Sequence, residues 1–137
     1  MVNTREIALD CIMEILEKKQ YSHYVIKQVL DKYGYLDKRD RSFIKRTAEG
    51  TIERCIELDY VLDSFSKVSA KKMKPFIRSL MRMGVYQLLY MDGIPDAAVC
   101  NESVKLAEKR GFSSLKGFVN GVLRNISRNK EKIAYPH

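Results

Sequence analysis

The sequence predicts an all-α fold, a compact bundle of about six to seven helices. Apolar residues recur at helical spacing, as at Ala8, Cys11, Ile12 and Ile15. No stretch alternates polar and apolar residues in the manner of a strand, so we expect no sheet. With 137 residues, of which 45% are hydrophobic, the chain is long enough to bury the core of a single domain spanning residues 1–137.

Polar residues that cap free backbone amides mark the first three helices, at Asn3 or Thr4, then Ser22, then Asp37. Gly34 is expected to end the second helix. The inner positions of the third helix include Ile44, Ala48, Ile52 and Cys55. A further apolar stripe either continues this helix or forms a new one after a bend, and it comprises Leu58, Val61, Leu62 and Phe65.

In the second half of the chain, Pro75 is tolerated in a first turn and begins a largely apolar segment that we expect to be the central helix. Two more helices are predicted, at about Asp96 to Arg110 and about Ser113 to Arg128. Asp96 is positioned to cap the first of them, and Gly111 to end it in a left-handed turn. Glycines inside the helices predict close helix–helix approach, and these are Gly50, Gly84 and Gly121.

The charged residues are segregated along the chain, whose net charge is +8. Two windows without any acidic residue, 64–91 and 109–130, hold 12 of the 25 cations. The remainder carries 13 cations against 17 acids. This segregation favours a one-sided field suited to a polyanion over a merely soluble basic surface.

The last predicted helix has a cationic outer face opposite its apolar side. The polar residues recur at i, i+4, i+8 and i+12, as Lys116, Asn120, Arg124 and Arg128. Gly117 and Gly121 lie on the same side. Because they have no side chains, they would let an RNA backbone approach closely. The cations would release counterions from phosphates, and Asn120 would donate to a phosphate or ribose hydroxyl. The alternative is a solvated outer face.

The central helix repeats this spacing with Lys74, Arg78 and Arg82. Lys71 joins the row if the helix begins earlier, and Lys71 and Lys72 are expected to be secondary contacts for RNA or a neighbouring domain. Tyr86 and Tyr90 either stack on unpaired bases or sit at the edge of the core. A third cluster of cations, interspersed with Asp37 and Asp40, begins the third helix and could equally be a solubilising face: Lys38, Arg39, Arg41, Lys45 and Arg46.

Three motifs follow one another in the segment from Gly84 to Asn125: Ile94-Pro95, then NESVKLAEK, then GFVNGVLRN. In their order and spacing, these motifs resemble those of the NusB-like RNA-binding domain. The resemblance is closest to the version that forms the N-terminal domain of bacterial 16S rRNA cytosine-5 methyltransferases of the RsmB (Sun/Fmu) type. The resemblance implies that the cationic cluster at the start of the third helix makes a secondary contact with RNA or with a neighbouring domain. The structural residues of these motifs are Asp96, Asn101, Glu102 and Gly121. Glu102 is expected to be a partly buried carboxylate that ties helices together.

No catalytic or metal-binding constellation is visible in the sequence. The seven glycines form no cluster of the kind that holds S-adenosylmethionine. The resembled methyltransferases attack cytosine with a cysteine in a Pro-Cys context, whereas Cys100 follows Val99, and Cys11 and Cys55 fall on apolar faces. We expect three buried thiols, no cofactor in this chain, and S-adenosylmethionine in a full-length protein.

The leading interpretation is an accessory domain that holds 16S rRNA for a C-terminal methyltransferase domain of the same protein. The final Tyr135-Pro136 resembles the approach to that domain, so we expect the chain to be part of a longer protein. A free-standing NusB-type transcription antitermination factor, which binds leader RNA with a ribosomal protein, is the alternative. The ending VLRN favours the methyltransferase type, since antitermination factors more often carry VLDK.

A third interpretation is a structural helical module that docks a protein partner. For all three, the sequence predicts a cytoplasmic protein without a membrane partner. The N-terminus is charged where a signal peptide is apolar, and no run of about 18 uncharged apolar residues is present. The three widely spaced cysteines are typical of a reducing compartment.

Overall fold

Helices account for the regular secondary structure of the described chain. The computed structural model describes residues 2–135 and contains seven α-helices: α1 Thr4–Ile12, α2 Ser22–Lys32, α3 Lys38–Glu53, α4 Cys55–Phe65, α5 Pro75–Tyr90, α6 Asp96–Lys109 and α7 Lys116–Asn129. Shorter turns are the π-helical Met13–Glu17 and the 3₁₀ turns Ala70–Lys72, Ser113–Leu115 and Lys130–Lys132. The all-α prediction is confirmed, and residues 2–135 contain no strand. Pro136 of the Tyr-Pro motif and His137 lie outside the described residues.

Residues 2–53 belong to one compact unit, called unit 1. Within it, α1 packs along α3, and α2 contacts both helices. Leu9, Ile12 and Ile44 are fully buried in its core. Two predicted caps are confirmed, because Asn3 accepts a hydrogen bond from the amide of Glu6 at 3.0 Å and Asp37 one from the amide of Asp40 at 2.8 Å.

The prediction that Ser22 caps α2 is wrong. Ser22 is the first helical residue, and the preceding Tyr21 makes no side-chain capping bond. The hydroxyl of Ser22 is therefore one position too late to reach the free amides. The helix ends at Lys32, and Gly34 follows in a turn, where its amide donates to the carbonyl of Asp31 at 3.2 Å.

Residues 54–135 belong to a second compact unit, called unit 2. Its centre is α5, which contacts α4, α6 and α7, and α6 packs along α7. Twelve residues of α5 are buried, so this helix is covered on nearly every side, as expected of a central helix. Pro75 occupies its first turn, as predicted. The stripe that begins at Leu58 belongs to the new helix α4, since α3 ends at Glu53.

Glycine has different roles at three positions of unit 2. Gly111 adopts φ = 88°, which confirms the predicted left-handed turn after α6. At Gly84, an added Cβ would lie 3.0 Å from a methyl carbon of Leu123, so this glycine permits the close approach of α5 and α7. The same prediction for Gly121 is wrong, because a Cβ there would meet no atom within 4 Å.

The three cysteines differ in exposure. Cys11 and Cys100 are buried, but Cys55, at the start of α4, is partly exposed, so the prediction of three buried thiols is wrong for Cys55. Burial, and then the nearby carboxylates of Asp10 and Glu14, raise the pKa of Cys11 to about 12. Burial also raises the pKa of Cys100. Both buried thiols are therefore protonated and unreactive at neutral pH.

Candidate nucleic-acid interface

The helix α7 in unit 2 separates an apolar side from a polar side. Val119, Leu123 and Ile126 are fully buried, which confirms the inner face. The opposite face consists of exposed or partly exposed residues, namely Lys116, Gly117, Asn120, Gly121, Arg124 and Arg128. This face contains no acidic residue, so the predicted cationic outer surface of α7 is present in the structure.

Arg124 is fixed in place by two amide side chains. Its Nε donates to Oδ1 of Asn120, one turn earlier on α7, at 2.8 Å. Its Nη2 donates to Oδ1 of Asn101 on α6 at 2.9 Å. Both acceptors are neutral, so the positive charge of the guanidinium is not compensated by these contacts. An arginine has five N–H donors, and the three not used here make no hydrogen bond within residues 2–135.

A groove of about 530 Å³ runs between α6 and α7 beside this arginine. One wall is the outer face of α7, and the other is a face of α6 that contains Asn101 and Lys105. The open floor at Gly117 allows close approach, since a Cβ there would meet no atom within 4 Å. The complete lining is Asn101, Val104, Lys105, Glu108, Lys116, Gly117, Asn120 and Arg124.

The α6 wall is a part of the site that the sequence analysis missed. Asn101, Lys105 and Glu108 share one face of α6, and their spacing of four and three residues is the signal that was available. Glu108 lies 3.7 Å from Nζ of Lys116, and both side chains are about half exposed. Exposed pairs of this kind are weak, so Lys116 can exchange this carboxylate for a phosphate.

The cationic row predicted on α5 does not face solvent as a row. Arg82 is only 9% exposed and makes a two-pronged pair with Asp59 of α4, with both N–O distances at 2.7 Å. We therefore exclude Arg82 from the candidate contacts. The helical spacing was correct, but α4 covers this side of α5, so the arginine pairs with a carboxylate 23 residues away.

Arg78 has a structural role in the same region. Its Nη1 lies within hydrogen-bond distance of three backbone carbonyl oxygens in the turn before α5, those of Ala70, Lys71 and Met73, at 3.0 to 3.2 Å. These contacts satisfy carbonyls at the end of the 3₁₀ turn and leave Arg78 partly buried. Lys74 is exposed, and its Nζ lies 5.8 Å from the ring centroid of Phe112. Of the three predicted α5 contacts, only Lys74 is fully available.

Tyr86 and Tyr90 sit at the core edge and not on a base-stacking surface. Tyr86 is 7% exposed, and its ring stacks on that of Tyr90 with centroids 5.4 Å apart. The hydroxyl of Tyr90 donates to Glu57 at 2.6 Å, and the guanidinium of Arg54 lies 4.2 Å above its ring. Burial first, and then this hydrogen bond, raise the pKa of Tyr90 to about 12.

The roles predicted for Glu102 and Asp96 are also corrected. Glu102 pairs with Lys105 on its own helix at 3.1 Å, so it does not tie two helices together; its neighbour Asn101 does so through Arg124. Asp96 makes no capping bond at the start of α6. Its carboxylate instead accepts from Ser127 at 2.6 Å and pairs with Lys130, which links the start of α6 to the end of α7.

Asp96 remains ionised because of these partners. Burial would raise its pKa, but the hydrogen bonds from Ser127 and Lys130 and the charge of Lys130 outweigh burial, and the pKa is lowered. Nζ of Lys130 also donates a hydrogen bond to the backbone oxygen of Leu88 in α5, at 3.3 Å. Asp96 therefore has a structural role, as predicted. It fulfils this role by linking α6 to the end of α7 and not by capping α6.

The secondary cluster lies in two places. In unit 1, the exposed members on α3 are Lys38, Arg39, Lys45 and Arg46, while Arg41 is partly buried and donates to the backbone oxygen of Leu30 at 3.2 Å. In unit 2, Lys71 and Lys72 are exposed on the 3₁₀ turn before α5, so Lys71 does not extend the α5 row.

Two kinds of feature, a cluster of metal ligands and a β-strand, are not found among the described residues. Among residues 2–135, no three His, Cys, Asp or Glu side chains are grouped to hold a metal ion. S-adenosylmethionine would need a strand and a glycine-rich turn, and this stretch of chain offers neither, so its residues do not fit that cofactor. None of its helices is long and apolar enough to cross a membrane.

Comparison with known proteins identifies relatives of two kinds. The chain is 36% identical, over 126 residues, to the probable ribosomal RNA small subunit methyltransferase B of Bacillus subtilis, covering 92% of the chain but only 28% of that relative. It is 30% identical, over 128 residues, to the transcription antitermination protein NusB of Ruminiclostridium cellulolyticum, covering 91% of the chain and 86% of that relative. The chain thus spans less than a third of one kind of relative and most of the other.

Solved structures show the same fold. Thermotoga maritima NusB superimposes with a TM-score of 0.81 at 22% identity, covering 94% of this chain and 93% of that one. A structure of the antitermination factors NusB and NusE in complex with dsRNA gives a TM-score of 0.76 at 21% identity, covering 93% and 98%. The NusB family model matches residues 2–128. The resemblance seen in the sequence motifs is therefore confirmed, and the chain belongs to the NusB family.

Proposed function

We propose that this chain is an RNA-binding accessory domain that positions 16S rRNA for a cytosine-5 methyltransferase domain of the same protein. The observation that carries the proposal is Arg124, which is held at the α6–α7 groove by the neutral side chains of Asn101 and Asn120. A fixed, uncompensated guanidinium beside an open groove is suited to a phosphate, because it loses little conformational freedom on binding.

The flanking cations extend this site along α7. Lys116 and Arg128 are exposed on the same face, and Lys105 lies across the groove. Contacts of this kind hold an RNA backbone by charge and shape and carry little sequence information. The domain would therefore contribute positioning, by which binding energy brings the target base close to the catalytic group of a separate domain. S-adenosylmethionine and the catalytic cysteine would belong to that domain.

Binding of in vitro transcribed 16S rRNA tests the groove, with affinity measured from about 50 to about 400 mM KCl. Arg124→Glu is expected to weaken binding and to flatten the dependence of log K on log [KCl] by about one phosphate contact. Lys67→Glu is the matched control, since it makes the same charge change at an exposed lysine outside the groove. Equal affinity and equal salt slope for Arg124→Glu and the wild type would show that α7 does not contact the RNA.

A free-standing antitermination factor that binds leader RNA with a ribosomal protein is the second candidate. The 86% coverage of the Ruminiclostridium NusB protein favours it, whereas the higher identity to methyltransferase B favours the first. Reading the source gene beyond the codon of His137 separates them. A continuing frame with a glycine-rich motif and a Pro-Cys supports the methyltransferase, and an immediate stop codon supports the antitermination factor.

The protein-docking module is the third candidate. It predicts that the wild-type chain fails to bind RNA at any salt concentration, and that its cations face an acidic protein surface instead. The RNA-binding titration described above distinguishes this case from the other two, since both of those require salt-dependent affinity.

A further inference from the structure

In unit 2, the guanidinium of Arg124 orients two asparagine side chains and is held by them. Nε and Nη2 form one edge of the guanidinium, and each donates to a carboxamide oxygen, that of Asn120 at 2.8 Å and that of Asn101 at 2.9 Å. Because an arginine donates hydrogen bonds and cannot accept them, both carboxamides must turn their oxygen atoms towards it. Nδ2, on the other side of each carboxamide, is therefore turned away from Arg124.

The two Nδ2 groups are hydrogen-bond donors that the described chain leaves without an acceptor. The hydrogen bonds of Asn101 and Asn120 within residues 2–135 use Oδ1 alone. Asn101 is exposed on α6, Asn120 is partly exposed on α7, and both line the groove between these helices. Each wall of the groove thus carries a neutral donor whose orientation is fixed by Arg124.

The part of Arg124 that is suited to a phosphate is distinct from these amides. Its Nη1 and Nη2 form a second fork, with three N–H groups that make no hydrogen bond within residues 2–135. A phosphate bound to this fork by two hydrogen bonds is matched by charged donors. The amides are neutral donors beside that position, and RNA carries a neutral acceptor beside each phosphate, the ribose 2′-hydroxyl.

Open space beside Asn120 lets a sugar come close to these short side chains. Gly117 lies one turn before Asn120 and Gly121 follows it, and an added Cβ at either glycine would meet no atom within 4 Å. An asparagine reaches only through Cβ and Cγ, so its ligand has to approach the helix itself. Glu108, the acid in the groove lining, lies seven residues beyond Asn101 on α6, or about 10 Å along the axis. Its carboxylate therefore does not occupy the space beside the amides.

We propose that Asn101 and Asn120 donate hydrogen bonds to ribose 2′-hydroxyls beside the phosphate bound by Arg124, so that the groove distinguishes RNA from a strand without this hydroxyl. The two asparagines then determine the class of ligand in addition to holding Arg124. The proposal rests on the proposed RNA-binding function and adds the chemical group that this groove recognises. Cations alone would bind any polyanion of the same charge and shape, because phosphate contacts carry little further information.

An RNA hairpin and its 2′-fluoro counterpart of the same sequence, each of about 16 base pairs, provide the test. Both have the same phosphates and A-form geometry, but only the RNA has hydroxyls. Fluorescence anisotropy with labelled hairpins measures the two affinities. We expect the wild type to bind the RNA about fivefold more tightly or better, and the double variant Asn101→Ala/Asn120→Ala to bind both hairpins equally. The salt slope should not change in this variant, since no cation is removed.

Asn125→Ala is the matched control, since Asn125 is on α7 but does not line the groove. It should keep the preference of the wild type. Circular dichroism and urea unfolding check that each variant is folded. Equal affinities of the wild type for the two hairpins, or an unchanged preference in the double variant, would overturn the proposal. So would a double variant that loses the same factor of affinity for both hairpins, because the asparagines would then only hold Arg124.

Arg124→Glu distinguishes failure of this proposal from failure of the proposed function. If Arg124→Glu weakens binding of both hairpins while the wild type shows no preference between them, the groove binds phosphates and recognition of the hydroxyl is refuted. If the wild type binds neither hairpin, both proposals are refuted together. A preference in the wild type that is lost in the asparagine double variant and kept in Asn125→Ala would support both.

Discussion

Arg82 of α5 and Asp59 of α4 form a two-pronged pair in which Nε and Nη2 each lie 2.7 Å from a different carboxylate oxygen. The arginine side chain is 11% exposed and the aspartate side chain 29%. Two parallel hydrogen bonds between charged groups fix both direction and distance. The pair therefore sets how α4 and α5 pack and keeps Arg82 away from any ligand.

Arg82→Ala should destabilise the protein by about 2 to 3 kcal/mol, because it leaves the partly buried Asp59 without its partner. Urea unfolding followed by circular dichroism measures this change. The salt slope of RNA binding should equal that of the wild type, since the charge removed is not at the surface.

Asp59→Asn provides the matched control for this pair. In a double-mutant cycle, the combined variant should lose less stability than the sum of the two single variants, which isolates the coupling between the side chains. An unchanged urea midpoint for Arg82→Ala would show that the pair contributes nothing. A reduced salt slope in that variant would return Arg82 to the RNA surface.

Two helical glycines should respond in opposite directions to added side chains. Gly84→Val should destabilise by about 2 kcal/mol or more, because even its Cβ would lie 3.0 and 3.1 Å from the two methyl carbons of the fully buried Leu123. Gly121→Ala should stabilise by about 0.5 to 1 kcal/mol, since it gains helix propensity and meets no neighbour. Thermal and urea unfolding of both variants measure these changes.

Leu123→Ala supplies the test of mechanism for Gly84. If the clash with Leu123 is the cause, Gly84→Val should cost less in the Leu123→Ala background than in the wild type. An equal cost in both backgrounds would assign the effect to the backbone of α5 and not to its packing on α7.

Arg82 and Arg124 show which properties of a charged residue can be predicted from the sequence and which cannot. Both residues lie in polar rows at i, i+4 spacing, and helical periodicity correctly placed both arginines on helices. Their roles diverge because of residues distant in sequence: Asp59 for Arg82, and Asn101 for Arg124. The same applies to Asp96, whose partners Ser127 and Lys130 follow it by 31 and 34 residues in the sequence. Local patterns predict elements and faces, while tertiary partners decide which charges remain available.

The thiols should react selectively. In the native protein we expect a disulfide-exchange reagent to modify Cys55 alone, because Cys55 is partly exposed whereas burial raises the pKa values of Cys11 and Cys100. Peptide mapping by mass spectrometry identifies the modified residue, and in urea all three should react. Cys55→Ser should abolish the native reaction. Modification of Cys11 in the folded protein would contradict the buried position of its side chain on α1.

Alkaline pH should weaken the protein partly through Tyr90. Burial, followed by the hydrogen bond to Glu57, raises its pKa from 10.0 to about 12, so the folded state favours the neutral phenol. Its contribution to stability is fully present below pH 10 and is lost as the pH rises towards 12. The free energy of unfolding should therefore fall more steeply over this interval in the wild type than in Tyr90→Phe. Because Cys11 also titrates late, the comparison is the difference between the two proteins at each pH. Parallel curves would show that the Tyr90–Glu57 bond does not couple to folding.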